Sequence, residues 1–428
     1  MQTDVISDAR PAVLSTPVVW FMALAAALGT ASIYPLQPAI ADVAGSLHAS
    51  LATVGVALAC GPLGYLAGLA LLVPLVDRLA PSRVLSTQFG ALAIALTVNA
   101  AVGTPWLLGL VIGVIGAGSS VGAQLSSVAG RFANPRRRAT VLGIVTAGIS
   151  AGILAGRIVG GWLNDEIGWR GMFLMFGTAC AIIAVSALFV LPGATGSTTS
   201  GYLATLRGLP GLYVHFPRLR LAACRGSLWF FAFCAVWAGL GVALSQPPFS
   251  YSSERIGAYA LAGLLGIVGT RVAGAWTDRV GARTVLLIGL VIAFTAAVTL
   301  GACLSNTAVT LACLALFDAG LFAAQVANQS TVLAIDPTAP ARFNSAYMLV
   351  YFIGGTLGTA FGAAAVGWFG WPATIAVVVG AVALAIITTI AARPAARFRL
   401  SPCPIQFWSR STITSRSSRS TTPNAATP

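Results

Sequence analysis

Residues 148–162 read Gly148-Ile-Ser-Ala-Gly152-Ile-Leu-Ala-Gly156-Arg157-Ile-Val-Gly160-Gly161-Trp162. Glycine at every fourth position leaves one face of a helix bare. A second helix can then lie closely against it, and can slide or rock there. About 205 residues later the pattern returns as Gly354, Gly358 and Gly362, followed by Gly367-Trp368. Other features are doubled at similar spacing. Asp77-Arg78 and Asp278-Arg279 each close an apolar run, Gln37-Pro38 has a partner in Gln246-Pro247, and Ala123-Gln124-Leu125-Ser126 resembles Asn328-Gln329-Ser330-Thr331. An internal duplication in an apolar chain points to two homologous membrane halves packed around one central site.

The composition agrees with a membrane chain. Of 428 residues, 57% are hydrophobic and 8% charged, whereas a water-soluble surface needs roughly a quarter charged. Apolar runs of bilayer-spanning length recur throughout, and they lack the short alternation of a membrane β-barrel. The net charge of +14 comes entirely from arginine. The absence of lysine excludes a Walker A loop and a Schiff-base site within the chain. His48 and His215 lie far apart, and the seven cysteines lack metal-ligand spacing, so no metal or other cofactor is expected. The cysteines read as small buried hydrophobes. The first apolar run reads as a signal-anchor helix rather than a cleaved leader.

Twelve spans are expected at about 18–41, 50–76, 84–103, 107–131, 139–163, 170–191, 221–245, 257–276, 284–303, 308–333, 343–369 and 371–392. The expected organisation is an N-terminal segment 1–17, a six-helix bundle 18–191, a linker 192–220, a second bundle 221–393 and a tail 394–428. The linker opens on the flexible composition Gly193-Ala-Thr-Gly-Ser-Thr-Thr-Ser-Gly201, and the polar tail is expected to be disordered. The positive-inside rule orients the chain. Arg78, Arg83, Arg131, Arg136, Arg137, Arg138, Arg218, Arg220, Arg279, Arg283 and Arg342 fall on one side, and Arg170 and Arg255 on the other. Both termini are therefore expected in the cytoplasm, with the chain in the inner (plasma) membrane. Lipid headgroups account for the basic loops without nucleic acid.

The stretch Gly274-Ala-Trp-Thr-Asp278-Arg279-Val-Gly281-Ala-Arg283 follows the eighth span. It resembles the loop motif G-x-x-x-D-R-x-G-x-R of the major facilitator superfamily. The first-half copy, Val73-Pro-Leu-Val-Asp77-Arg78-Leu-Ala-Pro-Ser-Arg83, keeps Asp-Arg and lacks both glycines. Glycine allows close helix approach, and an aspartate at a helix end can latch one conformation through contacts with a neighbouring helix. The span-five glycines Gly148, Gly152 and Gly156 resemble the glycine motif of drug/proton antiporters in that superfamily, without its Gly-Pro pair.

Span ten carries Asp318, the one acid deep inside any span, and then Gln325, Asn328 and Gln329 close to the same helical face. Lipid does not solvate such groups, so the face should look inward. This stretch, with Arg342-Phe-Asn344-Ser-Ala-Tyr347 and the span-eleven glycines, resembles bacterial twelve-helix facilitators of an inner-membrane or drug-efflux type. Ser119, Ser120, Gln124, Ser126 and Ser127 occupy the corresponding region of the first half. Interhelical hydrogen bonding is the competing role for all of these amides. Arg157, inside span five, has no carboxylate within a turn or two. It either meets a partner from another helix or from substrate, or snorkels to the interface. Arg271, within span eight, can snorkel inward. Tyr34, Gln37, Trp229, Phe230, Phe233, Trp237 and Gln246 add an aromatic and amide lining suited to an amphipathic or aromatic solute.

The resemblance covers about 15–393 and implies the major-facilitator fold. That fold has two six-helix bundles, each of two inverted three-helix repeats, with a central site exposed alternately to either side. It implies a monomeric secondary transporter of small organic compounds, coupled to protons, with export of drug-like compounds as the leading function. Uptake of a sugar or organic acid is the alternative. A membrane enzyme would need clustered acids or histidines, and a sensor an added soluble domain. Asp318, Arg157, Gln325, Asn328, Gln329, Gln124, Tyr34, Gln37 and Trp237 are the candidate substrate or coupling residues. Asp77, Arg78, Gly274, Asp278, Arg279, Gly281, Arg283, Gly148, Gly152 and Gly156 are the candidate gating residues. Reporter fusions test the topology. Fusions after residues 205 and 420 should report cytoplasm and one near Asn306 the opposite side. The same side for 205 and 306 would refute the span count.

Overall fold

A computed structural model describes residues 14–134, 137–193, 209–336 and 340–392. The expectations for the first segment up to residue 13, for most of the linker and for the tail from residue 393 lie outside the described residues, as does the side chain of Arg271. Among the described residues the regular structure is helical. The first half contains α1 (Thr16–Ala31), α2 (Ile40–Ser46), α3 (Leu51–Leu71), α4 (Pro81–Ala100), α5 (Pro105–Gly118), α6 (Val121–Phe132) and α7 (Arg138–Val190). A short α8 (Leu209–His215) precedes α9 (Pro217–Ser245), α10 (Ser253–Ala258), α11 (Leu264–Val280), α12 (Ala282–Ala302), α13 (Thr307–Leu333) and α14 (Pro340–Ala391). Single 3-10 turns extend α3 at Val73–Asp77 and link α10 to α11 at Tyr259–Gly263.

Proline in the first turn starts α1, α4, α5 and α9, where its missing N–H has no helical partner to lose. Ser50, Ser252 and Asn306 cap α3, α10 and α13 with side-chain oxygens that accept backbone N–H bonds. The connection 192–220 is helical over α8, and α9 begins at Pro217, four residues ahead of the expected span.

Each of the two longest helices is a pair of arms. The chain turns at Gly168 (φ 74°) in α7 and at Gly370 (φ 78°) in α14, in backbone conformations that L side chains rarely adopt. Both glycines are followed by a buried tryptophan, Trp169 and Trp371. The turn glycines are thus a further doubled feature, distinct from Gly161-Trp162 and Gly367-Trp368.

The glycine ladders do the same work in both halves. A Cβ on Gly148, Gly152 or Gly156 would overlap the backbone of Ala23, Ala27 or Ala31 on α1. A Cβ on Gly354, Gly358 or Gly362 would overlap that of Ser227, Phe231 or Ala235 on α9. The bare faces therefore join the first and fifth spans, and the seventh and eleventh, at backbone contact. Gly64 against Gly113 and Gly116 against Gly61 seat α3 on α5 in the same way, and Gly289 meets Gly320 between α12 and α13.

Two apolar cores result. One is built from residues between Val19 and Leu191, joined by Ala238, Val242 and Ala363 of the second half. The other runs from Leu212 to Ala385, joined by Leu154 of the first half. The visiting residues mark where the halves meet.

That meeting is tight at one end, called distal here because it lies opposite the end holding Thr16, Asp77 and Asp278. Gly55 abuts Ala363, Gly161 abuts Ser253, Gly241 abuts Gln37 and Gly257 abuts Arg157. Polar bonds reinforce these contacts. Ser253 Oγ donates to Asp42 Oδ2 at 2.9 Å and faces the Pro38 carbonyl at 3.1 Å. Asn164 donates to the same Asp42 oxygen. The Asp165 carboxylate accepts from the backbone N–H groups of Ser253 (3.2 Å) and Glu254 (2.9 Å). A first-half acid thus caps the start of α10 in the second half. At the other end Asp278 is exposed, and a Cβ on Gly274 would meet nothing within 4 Å. The structure is closed distally.

Two measurements check this packing. Gly152→Leu should lower folded yield and melting temperature, since overpacking costs about 1–3 kcal/mol. Gly143→Leu, at a glycine with open space around it, should behave as wild type. Equal behaviour of the two would refute the backbone contact. A disulfide formed between Asp42→Cys and Ser253→Cys should hold the distal end shut, and the alternating access expected from the sequence resemblance would then fall about tenfold or more until the bond is reduced.

Candidate functional site

Arg157 sits on the first arm of α7, one residue past the last glycine of the ladder. Close packing on α1 brings it beside the end of that helix. Its Nε donates to Gln37 Oε1 at 2.8 Å. Its guanidinium carbon lies 4.7 Å from the ring centroid of Tyr34 and 4.5 Å from that of Trp237 on α9. The residue is only 3% exposed. Of the two alternatives in the sequence, a partner from another helix is the one formed. A cation over an aromatic face gains about 0.5–2 kcal/mol, more when desolvated, which offsets part of the cost of burying the charge.

Trp237 has a second engagement. Its Nε1–H donates to Asp318 Oδ1 on α13 at 3.2 Å. Asp318 is 2% exposed, and a Cβ on Gly263 would stand 3.2 Å from its other carboxylate oxygen. Gly263 and Gly266 thus make room for this carboxyl beside α11. No ion pair joins Arg157 to Asp318 among the described residues. Instead one indole touches both, offering its face to the cation and its N–H to the anion. The structure therefore brings together Tyr34, Gln37 and Arg157 of the first half with Trp237 and Asp318 of the second.

The space beside this group, lined by Gln37, Pro38, Arg157, Trp237, Ile256 and Gly257, has room for about one water. Further aromatic side chains continue along the second half. Phe230 stacks on Tyr351 with ring centroids 3.9 Å apart, Phe233 meets Phe322 edge-on, and Phe352 approaches Tyr65 of the first half at 5.0 Å. Tyr65, Phe322, Tyr351 and Phe352 were not singled out in the sequence. Each is an ordinary hydrophobe in an apolar run, and only the packing gathers them.

The remaining candidates lie apart from this group. Gln325 Oε1 accepts from Tyr351 at 3.0 Å. Asn328 accepts from Arg225 at 3.0 Å and donates to the Ala222 carbonyl at 2.8 Å, both on α9. Gln329 donates to Asn344 on α14 at 2.9 Å. Gln124 donates to the Leu72 carbonyl at 2.7 Å, where α3 gives way to its 3-10 turn. These amides join helices within one half.

Arg225 was missed in the sequence. It is 7% exposed, and its Nε has no hydrogen-bond partner. The expected start of the seventh span at 221 leaves it about one turn from the helix end. The start at Pro217 places it about two turns inside.

The loop copies also differ. Asp77 Oδ1 accepts from Ser127 on α6 at 3.0 Å, and Arg131 donates to the Val76 carbonyl at 3.1 Å. In the second half Asp278 and Arg279 are exposed, Gly281 adopts φ 89°, and Arg283 donates to the Ile390 carbonyl at 2.9 Å. The first-half loop, although it lacks the glycines, is the copy whose aspartate is engaged with a neighbouring helix, whereas the second-half copy is tied through Arg283.

Comparison with known proteins places this geometry in a family. The sequence profile of the Major Facilitator Superfamily matches residues 19–335. A protein described as the probable transporter SCO4007 of Streptomyces coelicolor is 31% identical over 378 residues, covering 87% of each chain. The uncharacterized transporter YgaY of Escherichia coli O157:H7 is 29% identical over 358 residues, covering 84% of this chain and 91% of its own. An MFS-type efflux pump of Mycolicibacterium smegmatis is 26% identical over 178 residues, 40% of either chain. Among solved structures, the nucleoside transporter NupG (D323A mutant) superposes with a TM-score of 0.70 at 13% identity, covering 87% of this chain and 99% of that one. With its doubled helical halves, its cross-half site and a profile match over most of its length, this chain is a multi-pass membrane transporter that belongs to the major facilitator superfamily.

Proposed function

We propose that this transporter exports small amphipathic or aromatic organic compounds in exchange for protons. One observation carries the reading: Arg157 of one half and Asp318 of the other are buried at their junction and joined through Trp237. An ionised carboxyl at mid-span costs about 2.5–3.5 kcal/mol on insertion scales, so a residue kept there invites a functional role. A carboxyl that gains and loses a proton as the halves rock would couple that motion to the gradient. The aromatic side chains around Phe230, Tyr351, Phe352 and Tyr65 supply apolar surface for a cargo, and Gln37 and Gln325 supply polar handles. The similarity to a protein named as an efflux pump supports export over uptake.

Gating is assigned to the loops and ladders. In this reading the exposed Asp278, with Arg279, latches the proximal end when it closes, while Asp77 and Arg78 hold the first-half loop. The glycine faces at Gly148, Gly152 and Gly156 let the first and fifth spans move as one unit. The protein acts as a monomer in the inner membrane.

Asp318→Asn tests the coupling role, because the amide keeps size and hydrogen bonding but cannot titrate. Inside-out vesicles acidified within are offered a panel of radiolabelled amphipathic aromatic compounds. Wild type should accumulate at least one of them. The variant should lose gradient-driven accumulation about tenfold or more and keep counterflow exchange within about twofold, the split expected when a driving ion is uncoupled from binding. Accumulation that still follows the gradient in the variant would remove Asp318 as proton carrier.

A further inference from the structure

We propose that Trp237 is a positioning residue that reports the charge state of Asp318 to the contact between the halves. The proposal deepens the proton-coupled reading and rests on Asp318 as its titrating group.

The geometry is a short relay. Asp318 accepts the Trp237 N–H at 3.2 Å, the Trp237 ring lies 4.5 Å from the Arg157 guanidinium carbon, and Arg157 is held by Gln37 at 2.8 Å. Trp237 and Asp318 belong to the second half, Arg157 and Gln37 to the first. A hydrogen bond to an ionised carboxylate is roughly twice as strong as one to a neutral group. The ionised form therefore fixes the indole where its face meets Arg157. The protonated form is the weaker acceptor and no longer attracts the guanidinium beyond the ring. The indole is then released, and a link across the junction weakens without any ion pair being broken. The distal-closed state is thereby favoured when Asp318 is ionised.

Other groups face this relay. Arg157 of α7 acts on Asp318, and Tyr34 beyond α1 and Cys234 on α9 act on Arg157. Tyr351 of α14 lies within electrostatic reach of Cys234 and Tyr34. Gly263 and Gly266, on the turn before α11 and on its first turn, approach the Asp318 side chain without a side chain of their own. Tyrosine and cysteine carry no charge at acid or neutral pH, which leaves Asp318 as the titrating member and Arg157 as the fixed charge.

The test needs neither cargo nor gradient. Asp42→Cys and Ser253→Cys are placed in a background without the natural cysteines, and the rate of disulfide formation across the distal end is measured from pH 5.5 to 8.5 on the purified full chain. Each rate is divided by that of the same pair carrying Asp318→Asn, which removes the intrinsic pH response of the thiols. The parent ratio should rise about threefold or more with pH, and Trp237→Phe, which keeps an aromatic face and loses the N–H, should cut that rise to less than about half. Trp237→Phe added to Asp318→Asn should change nothing further. Replacement of Trp237 by 3-benzothienylalanine, the same bicycle without N–H, gives the answer if the phenylalanine variant folds poorly. A flat parent ratio, or a Trp237→Phe profile equal to the parent's, overturns the relay. A relay that passes while vesicle accumulation ignores the gradient would instead sink proton coupling alone.

Discussion

Six missing Cβ atoms set the frame of this molecule. At Gly148, Gly152 and Gly156, and again at Gly354, Gly358 and Gly362, one helix touches the backbone of another. Lipid tails give apolar side chains little reason to leave them, so membrane helices associate through close packing and interhelical hydrogen bonds. The ladders supply that packing once in each half, at equivalent places. Because α1 and the first arm of α7 are held this closely, Arg157 is delivered to Gln37 and Tyr34. Moving the ladder by one residue would turn that arm by about 100° and send the guanidinium elsewhere.

Charge is handled sparingly within this frame. Asp318 and Arg157 share one indole rather than a direct ion pair. A direct pair in a low-dielectric interior is deep and hard to part, and its desolvation is costly. An aromatic intermediary is weaker, so it can be exchanged as the halves move. The distal end uses the same economy of strength. Neutral donors from Ser253, Asn164 and the start of α10 meet the carboxylates of Asp42 and Asp165. Hydrogen bonds of this kind add about 0.5–3 kcal/mol each to a closed state without making it irreversible.

Much of the fold was legible along the chain, and part of the site. The glycine period, the doubled Asp-Arg loops and the long apolar runs are local patterns, and each is found as helix, turn or close contact. Asp318 and Arg157 stood out because an ionisable residue within an apolar run is rare. Trp237, Tyr34 and Gln37 were plausible lining residues and became members of one contact chain. Asn328, Gln329 and Gln124 carried the same kind of signal, yet the structure spends their hydrogen bonds within a single half. A polar residue on an inward helical face must find a partner. Whether that partner is a neighbouring helix, the opposite half or a cargo depends on helix rotation and depth, which periodicity does not carry.

The sequence by itself determined a duplicated, twelve-span membrane protein with bare helix faces and one buried acid, because bilayer thickness, helical period and the cost of a buried charge all act on contiguous residues. Tertiary structure alone decided that Asp318 meets Arg157 through Trp237, that Ser253 closes on Asp42, and that Asp77 rather than Asp278 is engaged. Those pairings join residues from about 50 to about 210 positions apart. They depend on how the two halves dock, and the docking follows from surface shape and the conformational state rather than from any local pattern.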